Sequence, residues 1–123
     1  HILVVEDDPD TQQAIAWLLE SSGAHVARAG TADEAISELY EHWVDVLVSD
    51  IGLPGEDGYA LVGRVADLAR ALERPPPRSL ALTAYARGED RERALAAGFS
   101  SYAPKPVEPR SLLQAVASLS HHA

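Results

Sequence analysis

Short runs of apolar residues alternate along the chain with longer segments in which apolar and polar positions recur at helical spacing. The runs are too short for buried helices, and their nearly continuous apolar character is typical of strands covered on both faces of a parallel sheet. They predict five strands, at 2–5, 24–27, 44–48, 79–83 and 99–103. The segments between and after them predict five helices, of which the third spans 59–72 and the fourth 88–97.

The strict alternation of strands and helices predicts the fold class. It indicates an α/β domain in which one doubly wound, five-stranded parallel sheet carries helices on both faces. The crossovers between successive strands should be right-handed. Prolines at 75–77 form a stiff connector that no helix can pass through, but the connector is too short to separate two domains. We therefore expect a single domain over residues 1–123.

The predicted helix ends carry residues that can satisfy free backbone groups. Asp8 can cap the first helix, and Pro9 suits its first turn. Thr31 and Glu34 have the spacing of a capping box at the start of the second helix. The apolar face predicted for that second helix consists of Ala35, Ile36, Leu39 and Tyr40.

The amino-acid composition argues against several classes of function. The chain has no cysteine, which excludes disulfides, thiol catalysis and zinc–thiolate sites and fits a reducing cytoplasm. The net charge of −9 argues against direct binding of nucleic acid, which depends on clustered Lys and Arg. No apolar run approaches the roughly 18 residues that a membrane span needs. We expect a cytoplasmic domain that makes no membrane contact and, because the chain begins at His1 without a methionine, one that was part of a longer protein.

Polar residues that follow the predicted strands provide the candidate chemistry. In an open parallel sheet, ligands bind beyond the carboxyl ends of the strands, where the strand order reverses. The side chains expected there are Glu6, Asp7 and Asp8 after the first strand, Asp50 after the third, Thr83 after the fourth and Lys105 after the fifth. Each residue alone would be interpreted as a helix cap or a solvated loop residue, and Asp8 is interpreted as a cap. Their joint placement at four strand ends favours a functional site.

The chemistry that suits this set is metal-assisted phosphoryl transfer. Carboxylates at close range repel each other, and a hard divalent cation relieves the repulsion. Mg²⁺ binds about six oxygens, commonly from one or two carboxylates, waters and phosphate groups. Asp7 and Asp50 could supply two of these oxygens and the backbone carbonyl of Gly52 a third, while Thr83 and Lys105 would hold the phosphoryl oxygens. The pattern thus indicates Asp50 as a carboxylate nucleophile that forms an acyl phosphate.

Four motifs together resemble those of receiver domains of two-component response regulators, and the resemblance covers nearly the whole chain. The motifs are Ile2-Leu3-Val4-Val5-Glu6-Asp7-Asp8, Ser49-Asp50-Ile51-Gly52-Leu53-Pro54-Gly55-Glu56-Asp57-Gly58, Leu82-Thr83-Ala84 and Lys105-Pro106. Each stands at the spacing that the family uses. The resemblance implies a flavodoxin-like fold with strand order 2-1-3-4-5, which places the first and third strands side by side.

The resemblance also implies a role for each residue of the site. Asp50 would be phosphorylated by a histidine kinase or a histidine phosphotransfer protein, with Mg²⁺ or Mn²⁺ as the cofactor. Glu6 and Asp7 would be the acidic pair, in which Asp7 binds the metal directly and the longer Glu6 reaches it through water. Thr83 and Lys105 would bind the phosphoryl group, and the peptide bond after Lys105 would be cis.

The same resemblance implies how phosphorylation at the site would be transmitted to a partner or an output domain. Thr83 and Tyr102 would form the switch, with the Tyr102 ring turning inward as Thr83 moves toward the phosphoryl group. A partner protein or an attached output domain would contact the face formed by the fourth helix, the fifth strand and the fifth helix. An equally complete account of Tyr102 is an aromatic residue of the fifth strand that packs on the last helix. The segments around Asp50 and Thr83 look most like receivers attached to hybrid histidine kinases.

Two other functions use the same residues differently. A degenerate receiver would act as an interaction module without phosphorylation, which the presence of Asp7, Asp50, Thr83 and Lys105 disfavours. A phosphatase of the haloacid-dehalogenase type also uses an aspartyl nucleophile with Mg²⁺. That class needs a second Asp where this chain has Gly52, and it needs a cap domain. A Rossmann nucleotide-binding domain is a still weaker hypothesis, because no Gly-x-Gly-x-x-Gly follows the first strand.

Gly52 and Tyr85, two residues beyond Asp50 and Thr83, would flank the phosphoryl group. Gly52 has no side chain to orient an attacking water, and Tyr85 could cover the site, so we expect slow loss of the phosphoryl group. In Tyr85→Ala the half-life of the phosphorylated form should shorten because water gains access. Intact mass followed over time measures this half-life, and an unchanged value would mean that Tyr85 has no such role.

Overall fold

In the part of the chain that the structure describes, five strands and five helices alternate. The computed structural model describes residues 1–84 and 88–120, and for residues 88–90 only the backbone. The strands are β1 (Ile2–Val5), β2 (Val26–Ala29), β3 (Val46–Asp50), β4 (Arg78–Thr83) and β5 (Ser101–Pro104). The helices are α1 (Pro9–Ser21), α2 (Ala32–Glu41), α3 (Gly58–Ala71), α4 (Gly88–Ala97) and α5 (Pro109–Ser120). None of these helices has both the length and the apolar character that crossing a membrane requires.

The strands form one parallel sheet in the order β2-β1-β3-β4-β5. The fold class and the strand order expected from the sequence are confirmed. Val5 of β1 lies opposite Ser49 of β3, and Asp50 of β3 lies opposite Leu82 of β4. Because the strands are parallel, the residues that follow β1, β3, β4 and β5 all emerge at the same edge of the sheet.

Helices cover both faces of the sheet, and the strands are therefore apolar on both sides. On one face, Leu3 and Leu47 pack in a cluster with buried residues of α2 and α3. On the other face, Val4 and Val48 pack with buried residues of α1 and α5. A third and smaller cluster lies between α3 and α4 and consists of Val62, Ala81, Ala94 and Phe99.

Three strands, β2, β3 and β5, begin two residues later than the apolar runs indicated. The N–H of Ala24 still donates to the carbonyl of Leu19 at the end of α1 (3.2 Å), so residue 24 belongs to the helix end. The N–H of Phe99 likewise donates to the carbonyl of Ala94 in α4 (3.0 Å). Apolar runs thus mark where the chain becomes buried, whereas hydrogen bonds to the preceding helix decide where β2 and β5 begin.

The second helix confirms one part of its predicted cap and corrects its predicted face. Thr31 Oγ1 accepts a hydrogen bond from the N–H of Glu34 (3.1 Å), as expected. The Glu34 carboxylate accepts from the N–H of Gly30 (2.8 Å) and not from that of Thr31, so the capping box is displaced by one residue. The prediction that Tyr40 lies on the apolar face is wrong, since Tyr40 is 65% exposed. The buried residues of α2 form a narrow stripe of Ala32, Ala35 and Leu39. Tyr40, in the last turn, lies at the border of this stripe.

Gly58, the first residue of α3, lies directly against the backbone at the end of β3. Its N–H donates to the carbonyl of Ile51 (2.9 Å). A Cβ added at Gly58 would lie 2.6 Å from the carbonyl oxygen of Asp50 and 2.8 Å from the Cα of Ile51. Such distances are shorter than real Cβ contacts, and both neighbours are backbone atoms. Only a residue without a side chain fits where the loop after Asp50 joins α3.

We expect Gly58→Ala to lower the free energy of unfolding by about 1–3 kcal/mol, because the added methyl group must displace backbone atoms. Gly63→Ala is the matched control, since Gly63 lies in the same helix and no described atom is within 4 Å of an added Cβ. Alanine at that position should stabilise the helix by roughly 0.5–1 kcal/mol. Urea unfolding of both variants measures the difference, and equal stability of the two would contradict the close contact at Gly58.

Candidate metal and phosphoacceptor site

Three carboxylates meet at the end of the sheet. Glu6 and Asp7 follow β1, Asp50 is the last residue of β3, and one carboxylate oxygen from each lies within 4.8 Å of the other two. Glu6 and Asp50 are buried, whereas Asp7 is exposed. The pairing of Val5 with Ser49 explains the arrangement, because it brings the next residues of the two strands side by side. The sequence prediction that β1 and β3 together supply these acids to one site is therefore matched by the geometry.

Lys105 lies between two of the carboxylates. Its Nζ is 2.9 Å from Glu6 Oε1 and 3.3 Å from Asp50 Oδ2. The backbone N–H of Lys105 donates to the carbonyl of Thr83 (2.8 Å), which ties the end of β5 to the end of β4. The peptide bond between Lys105 and Pro106 is cis, as expected from the resemblance. The ammonium group thus reaches the site that the sequence assigned to it.

The electrostatics of the site fit a bound cation. Burial raises the pKa of Glu6 to about 7, and the neighbouring Asp50 carboxylate adds to the rise, while Lys105 opposes it. Burial alone would lower the pKa of Lys105, but the hydrogen bond to Glu6 and the charge of Asp50 outweigh it and raise that pKa. Glu6 Oε2 is buried and has no hydrogen-bond partner among the described residues. A divalent cation would supply the positive charge that one ammonium cannot give to three carboxylates.

Gly52 contacts the carboxylate of Asp50 through its backbone. The N–H of Gly52 donates to Asp50 Oδ1 (3.2 Å), and a Cβ at Gly52 would lie 3.9 and 4.0 Å from the two carboxylate oxygens. Gly52 is therefore beside the predicted nucleophile, as the sequence indicated. Its predicted use of the backbone carbonyl as a metal ligand stays a prediction.

Asp8 lies outside the group of carboxylates and caps α1. Its carboxylate accepts hydrogen bonds from the N–H of Thr11 (3.2 Å) and from the Thr11 hydroxyl. The hydrogen bond from that hydroxyl, followed by that from the N–H, lowers the pKa of Asp8. The interpretation of Asp8 as the cap of the first helix is confirmed.

Thr83 and Tyr102 occupy neighbouring strands near the site. Thr83 ends β4 and is buried, next to Leu82, which lies opposite Asp50. Tyr102 in β5 is half-buried and packs against the small cluster between α3 and α4. The alternative that its ring packs on the last helix is wrong, because the register pairs Tyr102 with Ala81, which faces away from α5. The predicted switching of Thr83 and Tyr102 stays a prediction, and Tyr85 lies outside the described residues.

Gln12 is a supporting residue that the sequence pattern did not single out. Its side-chain amide donates to the backbone carbonyl of Glu6 (2.9 Å) and to that of Ala29 (3.1 Å). These bonds join the first turns of α1 to the ends of β1 and β2. They fix the direction of the chain where the acidic pair begins. No local sequence signal distinguishes such a glutamine from a solvated one.

The loop after Asp50 has a second support that the sequence did not reveal. Arg64 of α3 donates to Glu56 in the loop (2.6 Å) and to Asp33 in α2 (3.0 Å). Leu53, also in the loop, is buried in the cluster formed with α2 and α3. Together with the contact of Gly58, these interactions hold the segment that places the Gly52 N–H on Asp50.

Comparisons with known proteins agree with the geometry. Residues 2–117 match the family model of the response regulator receiver domain. A solved response regulator receiver domain protein of Methanospirillum hungatei is similar, with 30% identity, a TM-score of 0.83, and coverage of 95% of this chain and 90% of that chain. The chemotaxis response regulator CheY4 of Vibrio cholerae has 25% identity and a TM-score of 0.85, covering 96% of each chain.

Curated relatives lead to the same family. An uncharacterized 14.6 kDa protein of Leptolyngbya boryana is 47% identical over 94% of this chain and 86% of its own length. The phosphate regulon transcriptional regulatory protein PhoB of Escherichia coli is 32% identical over 92% of this chain, and the chain spans only 48% of that protein. The sensor histidine kinase RcsC of Salmonella typhi is 33% identical over 94% of the chain, which spans 12% of it. The chain belongs to the response regulator receiver domain family.

Proposed function

We propose that this domain is a phosphoacceptor that takes a phosphoryl group from a phosphohistidine onto the side chain of Asp50. The observation that carries the proposal is the environment of that carboxylate. Asp50 is buried at the end of β3, contacts Lys105 Nζ at 3.3 Å and the Gly52 N–H at 3.2 Å, and shares the site with Glu6 and Asp7. An ordinary solvated loop aspartate has no such set of neighbours.

The transfer itself needs positioning and charge neutralisation more than it needs acid–base chemistry. A carboxylate oxygen of Asp50 forms a bond to phosphorus while the bond from phosphorus to the histidine nitrogen breaks, and the electron pair of that bond returns to the imidazole. The Lys105 ammonium and the Thr83 hydroxyl hold the oxygens of the transferred group. The Gly52 N–H holds the other carboxylate oxygen, which keeps the nucleophile in one orientation.

Glu6, Asp7, Asp50 and the carbonyl of Gly52 would hold Mg²⁺ or Mn²⁺. A bound divalent cation neutralises charge on the phosphoryl and carboxylate oxygens. The buried Glu6 Oε2, which has no hydrogen-bond partner among the described residues, is the feature of this chain that most favours a cation. Asp7, being exposed, is the carboxylate that an incoming metal ion can reach first.

The proposed signal is a change of shape near β4, β5 and α4 that follows phosphorylation. Thr83 would move toward the phosphoryl group and Tyr102 would reorient, and a partner or an attached domain would contact the face formed by α4, β5 and α5. The phosphodonor would be a histidine kinase or a histidine phosphotransfer protein in the cytoplasm. Since the chain spans part of PhoB and a small part of RcsC, a place in a longer regulator or a hybrid kinase fits the proposal.

Two alternatives are disfavoured by particular residues. A receiver that binds partners without phosphorylation has no use for Asp7, Asp50 and Lys105 at one site, yet all three are present and close together. A phosphatase of the haloacid-dehalogenase type needs a carboxylic acid at residue 52, where this chain has glycine.

Phosphorylation of Asp50 can be tested by intact mass. After incubation with Mg²⁺ and acetyl phosphate, we expect the chain to gain the mass of one phosphoryl group. Asp50→Ala should gain nothing because the nucleophile is gone. Asp67→Ala, which removes an exposed aspartate paired with Arg70, should gain the group as the wild type does. No gain in the wild type would favour the interaction module, and steady release of phosphate would favour the phosphatase.

The charge balance of the site can be tested with Glu6→Gln, which keeps an oxygen that can accept from Lys105. The pKa of Glu6 is raised from 4.5 to about 7 in the folded chain, so the unfolded chain ionises first. Metal-free wild type should therefore lose stability as the pH rises from about 4.5 through about 7. At pH 8 with a chelator, the free energy of unfolding of Glu6→Gln should exceed that of the wild type by on the order of 1–3 kcal/mol.

Thermal or urea unfolding at several pH values measures this difference. Glu41→Gln, which changes an exposed glutamate at the end of α2, is the control and should follow the wild type at every pH. Added Mg²⁺ should stabilise the wild type more than Glu6→Gln. A Glu6→Gln variant that is less stable than the wild type at pH 8 without metal would contradict the assigned repulsion.

A further inference from the structure

The described side chains of helix α4, residues 91–97, bury little apolar surface against the rest of the domain. Among the side chains described in this helix, residues 91–97, only Ala94 is fully buried. Helix α3, in contrast, buries six residues: Gly58, Leu61, Val62, Val65, Leu68 and Ala69. Elements with few buried apolar contacts open at the lowest free-energy cost. What else holds α4 in place therefore matters for how the domain changes shape.

Two arginines of α4 lie over tyrosine rings of the neighbouring elements. The guanidinium carbon of Arg91 is 5.4 Å from the ring centroid of Tyr102 in β5. The guanidinium carbon of Arg93 is 4.3 Å from the ring centroid of Tyr59 in the first turn of α3. Both distances are within the range of cation–π attraction. Helix α4 is thus held on one side by α3 and on the other side by β5.

The two rings differ in how firmly their own elements are fixed. Tyr59 follows Gly58, whose backbone lies against Asp50 and Ile51, so the backbone that carries the Tyr59 ring is closely held. Tyr102 is half-buried in β5, the edge strand of the sheet. It lies opposite Ala81, two residues before Thr83. A change at Thr83 can therefore reach Tyr102 through the pairing of β4 with β5, whereas Tyr59 belongs to α3 and not to a strand paired with β4.

We propose that the contact between Arg91 and Tyr102 is a latch that keeps α4 in the present position, and that the contact between Arg93 and Tyr59 is its fixed attachment. The inference rests on the proposed function, because it takes the reorientation of Tyr102 as part of the response to phosphorylation. When the Tyr102 ring leaves Arg91, α4 retains Arg93 and Ala94 and can pivot about the α3 side. The latch stabilises the unphosphorylated conformation alone.

A contact made in only one of two conformations sets how readily the other is reached. Removing the latch should raise the population of the conformation that binds the phosphoryl group, and the apparent affinity rises with that population. A single exposed cation–π contact corresponds to a change of about two- to five-fold. Loss of the Arg93 contact should loosen α4 in both conformations and leave the affinity unchanged.

The test uses beryllium fluoride, a mimic of the phosphoryl group, with Mg²⁺ and the whole domain. Binding is measured by ¹⁹F NMR on the wild type, Arg91→Gln, Arg91→Lys and Arg93→Gln. We expect Arg91→Gln to bind about two- to five-fold more tightly than the wild type, and Arg93→Gln to bind as the wild type does. Arg91→Lys keeps a cation over the ring and should stay close to the wild type. Hydrogen exchange of the α4 amides should be faster in both glutamine variants.

The possible failures are distinguishable. If the wild type binds the mimic and Arg91→Gln binds with the same affinity, the latch is overturned while the proposed function stands. An equal change in Arg91→Gln and Arg93→Gln also overturns the latch, since a general loosening of α4 would then explain both. If neither the wild type nor any variant binds the mimic, the proposed function and the latch are overturned together.

Discussion

The closeness of Glu6 and Asp50, two buried acids with carboxylate oxygens within 4.8 Å of each other at the end of the sheet, is the constraint around which the site is arranged. Burial and, after it, the neighbouring Asp50 carboxylate raise the pKa of Glu6, so the ionised form of this acid is unfavourable in the fold. The fold holds the two acids together through the parallel pairing of β1 with β3, which leaves no freedom in where their ends lie. Lys105, 99 residues further along the chain than Glu6, brings the compensating charge only when the sheet is complete to β5.

The site is therefore electrostatically unfavourable, and a bound cation would reduce that free-energy cost. Glu6 has one buried carboxylate oxygen, Oε2, with no hydrogen-bond partner among the described residues. A cation that binds the folded chain alone stabilises it by mass action, and the gain is larger where the empty site is unfavourable. The same imbalance would thus supply part of the affinity for metal that the proposed function needs.

Much of the fold and the site could be predicted because they follow from patterns local in sequence. Apolar runs and their alternation with helices specify the sheet, and polar residues after each run specify its functional edge. The side of β5 from which Tyr102 projects was not predictable from so short a strand, because one residue of register decides it. The roles of Gln12, Gly58 and Arg64 were missed for another reason, since they depend on contacts with backbone atoms or charges outside the helices that carry these residues. Exposed Tyr40 shows that an apolar face derived from spacing alone can be too wide.

The two sides of the site differ in rigidity, and that difference gives a direction to any change of shape. Toward α3, the loop after Asp50 is held by the close contact of Gly58, by buried Leu53 and by Arg64 bound to Glu56. Toward α4, the described side chains of the helix contribute buried Ala94, half-buried Ala97 and two cation–π contacts. A phosphoryl group added to Asp50 would therefore lie between a closely packed α3 side and a less closely packed α4 side. Displacement should then pass toward β5 and α4, because elements with few buried apolar contacts open at a lower free-energy cost.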